Sequence, residues 1–143
     1  MAELIVAADL VKRGYRVAFP FGEDCDFDLL FWRPPSLELE RVQVKYASSD
    51  GNVIPVRARS ASLTNGKVKA IKRYTKRMID WLAVYDATTD RCFYIRAVEL
   101  GEGMSILHLR LTACRNNQRA RVRFADDYVS PVIRMPTIGL EGP

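Results

Sequence analysis

Asp28 and the run Gln43-Val44-Lys45 place an acid, a neutral oxygen acceptor and an amine inside two otherwise apolar stretches of a 143-residue chain. Side chains alternate along a strand. On that pattern Phe27, Leu29 and Phe31 share one face of a strand over 26–32, and Asp28, Leu30 and Trp32 share the other. Gln43 and Lys45 fall together in a strand over 39–47, opposite Val42, Val44 and Tyr46. Two adjacent strands would bring Asp28, Gln43 and Lys45 to one place. A lysine in an apolar strand is costly to bury unless paired, so a buried ion pair with Asp28 is one account of these residues. Phosphodiester hydrolysis is a fuller one, because the uncatalysed reaction needs its barrier lowered by on the order of 20 kcal/mol and no single side chain supplies that. The Asp28 carboxylate, the Gln43 carboxamide and the Val44 carbonyl are hard oxygen donors suited to Mg²⁺, which keeps several waters and takes only one or two protein carboxylates. The metal would polarise a phosphate and lower the pKa of a bound water. Lys45 would orient that water and offset the charge that develops in the transition state.

Glu3 lies at helical spacing from Ala7 and Leu10, so its carboxylate begins the helix face that packs on the sheet. It could reach the same metal directly or through water. An acid in a helix's first turn is also favourable in its own right, which is the plainer account from periodicity alone.

The elements that must position these groups follow from local signals. Residues 3–13 read as a helix rich in Ala, Leu and Val that stops at Gly14. Residues 15–19, 26–32 and 39–47 read as strands, punctuated by Pro20, Gly22, Pro34 and Pro35, with the 48–52 turn after the third. Residues 53–57 form a short strand that can pair back, placed at an edge by Pro55. The span 58–76 is polar and basic with a turn at Thr64-Asn65-Gly66, and reads as an insertion or DNA-binding loop with one helical turn at most. Strands over 80–85 and 91–97 make a hairpin across 86–90. Residues 105–112 give a further strand, with Leu107, Leu109 and Leu111 on one face. Beyond Ala113 the chain is arginine-rich and irregular, and 129–143 reads as a loose C-terminal tail.

At 143 residues and 48% hydrophobic content, the chain suits a single domain, 1–143, with its own core. Cys25, Cys92 and Cys114 are odd in number and far apart, which suggests neither a disulfide framework nor a zinc site and points to a reducing cytoplasm. No apolar run is long enough to cross a bilayer, and Glu3 and Asp9 stand where an export signal would carry positive charge. His108 is the single histidine, so no His-based metal cluster is available.

The net charge of +5 matters less than its distribution. Arg57, Arg59, Lys67, Lys69, Lys72, Arg73, Lys76 and Arg77 occupy a stretch with no acid, as do Arg110, Arg115, Arg119, Arg121 and Arg123. Together these stretches hold 13 of the 22 Lys and Arg, leaving nine bases beside all 17 acids. Segregated charge of this kind suits a polyanion, whose counterions are released on binding, and these thirteen residues are the expected nucleic-acid contacts.

The order Glu3, Asp28, Gln43-x-Lys45 resembles the group I intron-associated PD-(D/E)xK endonucleases. The blocks Ala2-Glu3-Leu4, Ala7-Ala8-Asp9-Leu10, Lys12-Arg13-Gly14-Tyr15, Phe19-Pro20-Phe21-Gly22-Glu23-Asp24, Val42-Gln43-Val44-Lys45, Asp80-Trp81-Leu82-Ala83-Val84-Tyr85 and Asn116-Asn117-Gln118 carry the resemblance up to about Tyr128. It implies an α/β fold with a restriction-endonuclease-like core, a mixed central sheet and an N-terminal helix packed on it. It further implies a homing-type, Mg²⁺-dependent cut in double-stranded DNA leaving 5′-phosphate and 3′-hydroxyl ends, Mn²⁺ as a substitute metal, and a homo-oligomer, dimer or tetramer. Glu3, Asp28, Gln43 and Lys45 match the family's catalytic positions. Gln43 stands where the wider superfamily usually has Glu, a departure shared with the intron-associated branch. Asp80 matches a recurring acid, which we read as a strand-start acceptor rather than a catalytic group. Two alternatives stay open from sequence: a nuclease that reads junction shape, and a non-catalytic DNA-binding module on the same fold.

Overall fold

A computed structural model describes residues 1–22, 25–64, 67–101, 104–112 and 122–132, with 59–64 and 67–73 as backbone. Helix α1, Ala2–Lys12, buries Val6, Ala7 and Leu10 along one stripe. It ends in a Schellman arrangement, in which the Gly14 amide donates to the Val11 carbonyl and the Tyr15 amide to the Leu10 carbonyl. Gly14 sits at φ +94, and a Cβ there would meet the Arg33 guanidinium at 3.3 Å. Glycine is therefore what lets the chain leave the helix at this point.

The strands are β1 (Arg16–Ala18), β2 (Leu29–Trp32), β3 (Glu40–Ala47), β4 (Val53–Arg57), β5 (Arg59–Thr64), β6 (Lys67–Arg73), β7 (Trp81–Asp86), β8 (Arg91–Arg96), β9 (Ile106–Arg110) and β10 (Arg123–Phe124). The main sheet runs β1-β2-β3-β7-β8. Only β3 and β7 pair in parallel within it, and the other neighbours are antiparallel. β7 is central and buried on both faces: Trp81 and Ala83 pack under α1, while Leu82 and Val84 face the opposite core. That second core lies between the main sheet and a three-stranded sheet ordered β10-β9-β4, from which Ile54, Val56, Leu107 and Leu109 point inward. Helix, sheet and sheet thus form three layers around two cores. Among the described residues no helix is long and apolar enough to cross a membrane.

Several expectations shift at the edges. The segment 53–57 is an edge strand, but it pairs with β9 rather than back on β3. Its partner β9 is flanked on both sides only at Leu109 and Arg110, where the short β10 pairs. The span 58–76, expected to be a loop, contains the antiparallel ribbon β5–β6. Alternating Lys and apolar residues in Lys67-Val68-Lys69-Ala70-Ile71 suit a strand, and basic composition masked that period. The Asn65-Gly66 turn lies outside the described residues, as do Cys114, Arg115, Arg119, Arg121, the Asn116-Asn117-Gln118 block and 133–143. Of the expected tail, Val129 packs against the core and Pro131 is buried.

Two polar knots set the ends of the parallel pair. Asp80 enters β7 by accepting the Arg41 amide at 2.8 Å and gripping its guanidinium, Nε at 3.1 Å and Nη2 at 3.2 Å. The same guanidinium donates to the Arg77 and Lys76 carbonyls. Asp80 is thus the strand-start acceptor expected of it. At the other end the fully buried Asp86 accepts the Ser49 amide and hydroxyl, both at 2.8 Å, and the Thr89 hydroxyl at 2.7 Å. This clamps the turn after β3 onto the turn after β7.

Candidate active site

Asp28 occupies the point where β2 and β3 part. Its amide donates to the Val42 carbonyl at 2.7 Å, and β2 proper begins one residue later. If the register Leu29↔Val42 continued, residue 27 would face Val44. The chain instead turns, and Phe27 packs against the core between the two sheets while Leu29 and Phe31 pack under α1. Phe27 therefore does not share their face, because the strand expected from 26 starts only at Leu29. The Asp28 carboxylate replaces the missing strand, and its Oδ2 accepts the Val44 amide at 2.8 Å. A residue's N–H and C=O point to the same side of its strand. The Val44 carbonyl is thus directed into the gap that β2 leaves.

Gln43 and Lys45 alternate with the buried Val42 and Val44 along β3, both half-buried and opposite Leu82 and Val84 of β7. No hydrogen bond from a described residue engages the Gln43 carboxamide. The Lys45 ammonium lies 5.0 Å from the centre of the Tyr74 ring and 3.5 Å from its hydroxyl. Glu3, in the first turn of α1, accepts the Met1 amino group at 3.2 Å.

Electrostatics tie these groups together. Burial raises the Asp28 pKa above its ordinary value, the Val44 amide opposes this, the negative charge of Glu3 adds to it, and Lys45 offsets part. Glu3 is lowered, chiefly by a hydrogen bond from its own amide, against burial and with help from the Met1 amino group. Glu3 and Lys45 are thus both close enough to act on the Asp28 carboxyl. Among the described residues no three His, Cys, Asp or Glu side chains gather as a metal cluster. The available donors are two carboxylates that repel each other, a carboxamide and a carbonyl. All are hard oxygens and their mutual repulsion favours a cation between them, a set that fits Mg²⁺ better than a soft metal.

The basic residues divide. Arg57, Lys76 and Arg77 are exposed. Arg59, Lys67, Lys69, Lys72 and Arg73 lie on the β5–β6 ribbon. Arg110 donates to the Thr112 carbonyl at 3.3 Å, and Arg123 is 3.7 Å from Glu99, an ion pair that no local spacing announces. His108 is exposed on β9, and Trp81 is core. Tyr74 is a core residue that no local pattern ties to the site. It is 5% exposed and lies against Lys45, a proximity that only the return of the ribbon onto the sheet creates.

None of the curated proteins matches the chain. Among solved structures it is similar to a bacterial homing endonuclease, I-Ssp6803I, at 22% identity and a TM-score of 0.66, over 89% of this chain and 82% of that one. This likeness shows a shared fold. A family model described as PD-(D/E)XK endonuclease matches residues 1–131, nearly the whole chain and every site residue above. The protein therefore belongs to the PD-(D/E)XK endonuclease family.

Proposed function

We propose that this chain is a Mg²⁺-dependent, site-specific DNA endonuclease of the homing type. Asp28, Gln43 and the Val44 carbonyl would hold the metal, with Glu3 directly or through water. Bound there, the metal would supply Lewis-acid polarisation of the scissile phosphate and acidify a water. Lys45 would orient the attacking water and balance charge on the phosphoryl oxygens. Attack at phosphorus with departure of the 3′ oxygen leaves 5′-phosphate and 3′-hydroxyl ends. The ribbon and the Arg110 to Arg123 stretch would bind backbone phosphates, which set register, and a few base edges, which set sequence. One site cuts one strand, so a double-strand break calls for a homo-oligomer, most simply a two-fold dimer.

The observation that carries this reading is the Asp28 carboxylate seated on the Val44 amide, beside Gln43 and Lys45, inside a family match over 1–131. Cleavage of linear duplex libraries beside four-way junctions, with Mg²⁺ or Mn²⁺, tests it. We expect a subset of linear sequences to be cut by wild type and by neither Asp28→Ala nor Lys45→Ala, with salt-dependent DNA binding kept in both variants. Cleavage of junctions alone would replace the homing reading with a shape-reading nuclease. Binding without cleavage under either metal would leave a DNA-binding module.

A further inference from the structure

We infer that Tyr74 is a positioning residue for Lys45, acting through the face of its ring. This rests on the reading of Lys45 as part of the active site.

The Lys45 ammonium stands 5.0 Å from the ring centre, within the distance at which the negative face of an aromatic ring attracts a cation. The hydroxyl, at 3.5 Å, is the part of Tyr74 nearest the ammonium, though at the outer limit of a hydrogen bond. The ring is itself fixed. Tyr74 belongs to the core between the two sheets, and its amide donates to the Ala58 carbonyl at 3.1 Å. The fully buried Ala58 in turn donates to the Ser105 carbonyl at 2.7 Å. Tyr74 and Ala58 close the root of the β5–β6 ribbon, since they flank Arg59–Thr64 and Lys67–Arg73. A flexible four-carbon amine gains a defined position from such a wall, and position is what a water-orienting lysine must have. Lys45 keeps other contacts as well. The buried, backbone-tethered ring contributes rigidity to its placement.

The test compares kcat and KM of wild type, Lys45→Ala, Tyr74→Leu and Tyr74→Phe on the best-cut duplex from the library, with Mg²⁺, alongside melting temperatures. Tyr74→Leu removes the ring face and Tyr74→Phe removes only the hydroxyl. We expect Tyr74→Leu to lower kcat by roughly 10-fold to 100-fold, the scale of a misplaced catalytic group, with KM unchanged. Tyr74→Phe should return kcat to within about threefold of wild type, because the ring face is kept. If Tyr74→Leu melts near the assay temperature, Tyr74→Met fills similar volume without an aromatic face and takes its place. Equal loss in the Phe and Leu variants would assign the effect to the hydroxyl and overturn the proposal. So would an unchanged kcat in Tyr74→Leu, or a rise in KM alone, either of which would make Tyr74 a plain core or ribbon residue. Wild-type activity in Lys45→Ala would overturn the reading of the site and the proposal together, an outcome distinct from those three.

Discussion

The Oδ2 of Asp28 accepts the Val44 amide at 2.8 Å, so the acid proposed to serve the site also completes the backbone of the strand beside it. One carboxylate thus has a structural duty and a proposed chemical one, and substitutions can separate them. Asp28→Asn keeps an oxygen acceptor for Val44 and removes the charge. It should fold like wild type, bind DNA, and lose cleavage by at least about 10³-fold, the scale seen when a group that stabilises the transition state is removed. Asp28→Ala also leaves the Val44 amide without its partner and should lose ~1 kcal/mol of stability. Urea unfolding separates the two, and equal stability of the Asn and Ala variants would show that the hydrogen bond to Val44 carries no weight.

Metal binding should register in stability as well as activity. A ligand that binds only the folded state raises stability by RT ln(1 + [L]/Kd), about 1.4 kcal/mol at ten times Kd. We expect Mg²⁺ to raise the melting temperature of wild type, to do so less in Gln43→Ala, and not in Asp28→Ala, and EDTA to abolish cleavage. An equal shift in wild type and Asp28→Ala would place the metal elsewhere.

How much of this could be read from sequence follows from what strands encode. Period-two alternation placed Gln43 and Lys45 on one face of β3, and the structure agrees, because a one-residue slip would drive both into the core under α1. The same rule failed at Phe27, where a side chain takes over from the backbone and the alternation no longer applies. Asp80 was legible as a strand-start acceptor, yet its partner Arg41 is 39 residues away and no local pattern names it. Neither does spacing reveal that Tyr74 meets Lys45 or that β4 pairs with β9, since both depend on how the layers stack. The main sheet was visible in pieces; the second sheet and the ribbon needed tertiary context.

Gln43→Glu tests the carboxamide. A second charged oxygen beside Asp28 should bind a divalent cation more tightly, so half-maximal cleavage should need less Mg²⁺. Without metal the added charge repels Asp28 and Glu3, and the variant should be less stable than wild type by up to about 1 kcal/mol. A Mg²⁺ requirement unchanged in Gln43→Glu and in Gln43→Ala would remove Gln43 from the metal's ligands.

Acid should unfasten both polar knots. Burial pushes the Asp86 carboxyl upward, but hydrogen bonds from the Thr89 hydroxyl, the Ser49 amide and hydroxyl, and the Thr89 amide outweigh it and hold the pKa below the ordinary 3.8. Asp80 is likewise raised by burial and brought below 3.8 by the Arg41 side chain and amide. A carboxyl whose folded pKa is depressed binds fewer protons folded than unfolded, so its contribution is complete above the unfolded value. That contribution is lost as the pH falls from 3.8 through the lower folded values. Unfolding free energy should therefore drop across this acid window, and Asp86→Asn should flatten that limb. At neutral pH, Asp86→Ala strands the buried donors of Ser49 and the part-buried donors of Thr89 and should cost about 2–4 kcal/mol. Chemical denaturation of wild type and both variants between pH 7 and pH 2 checks all three expectations, and an acid limb of the same steepness in Asp86→Asn would show that Asp86 is not among the groups that set it.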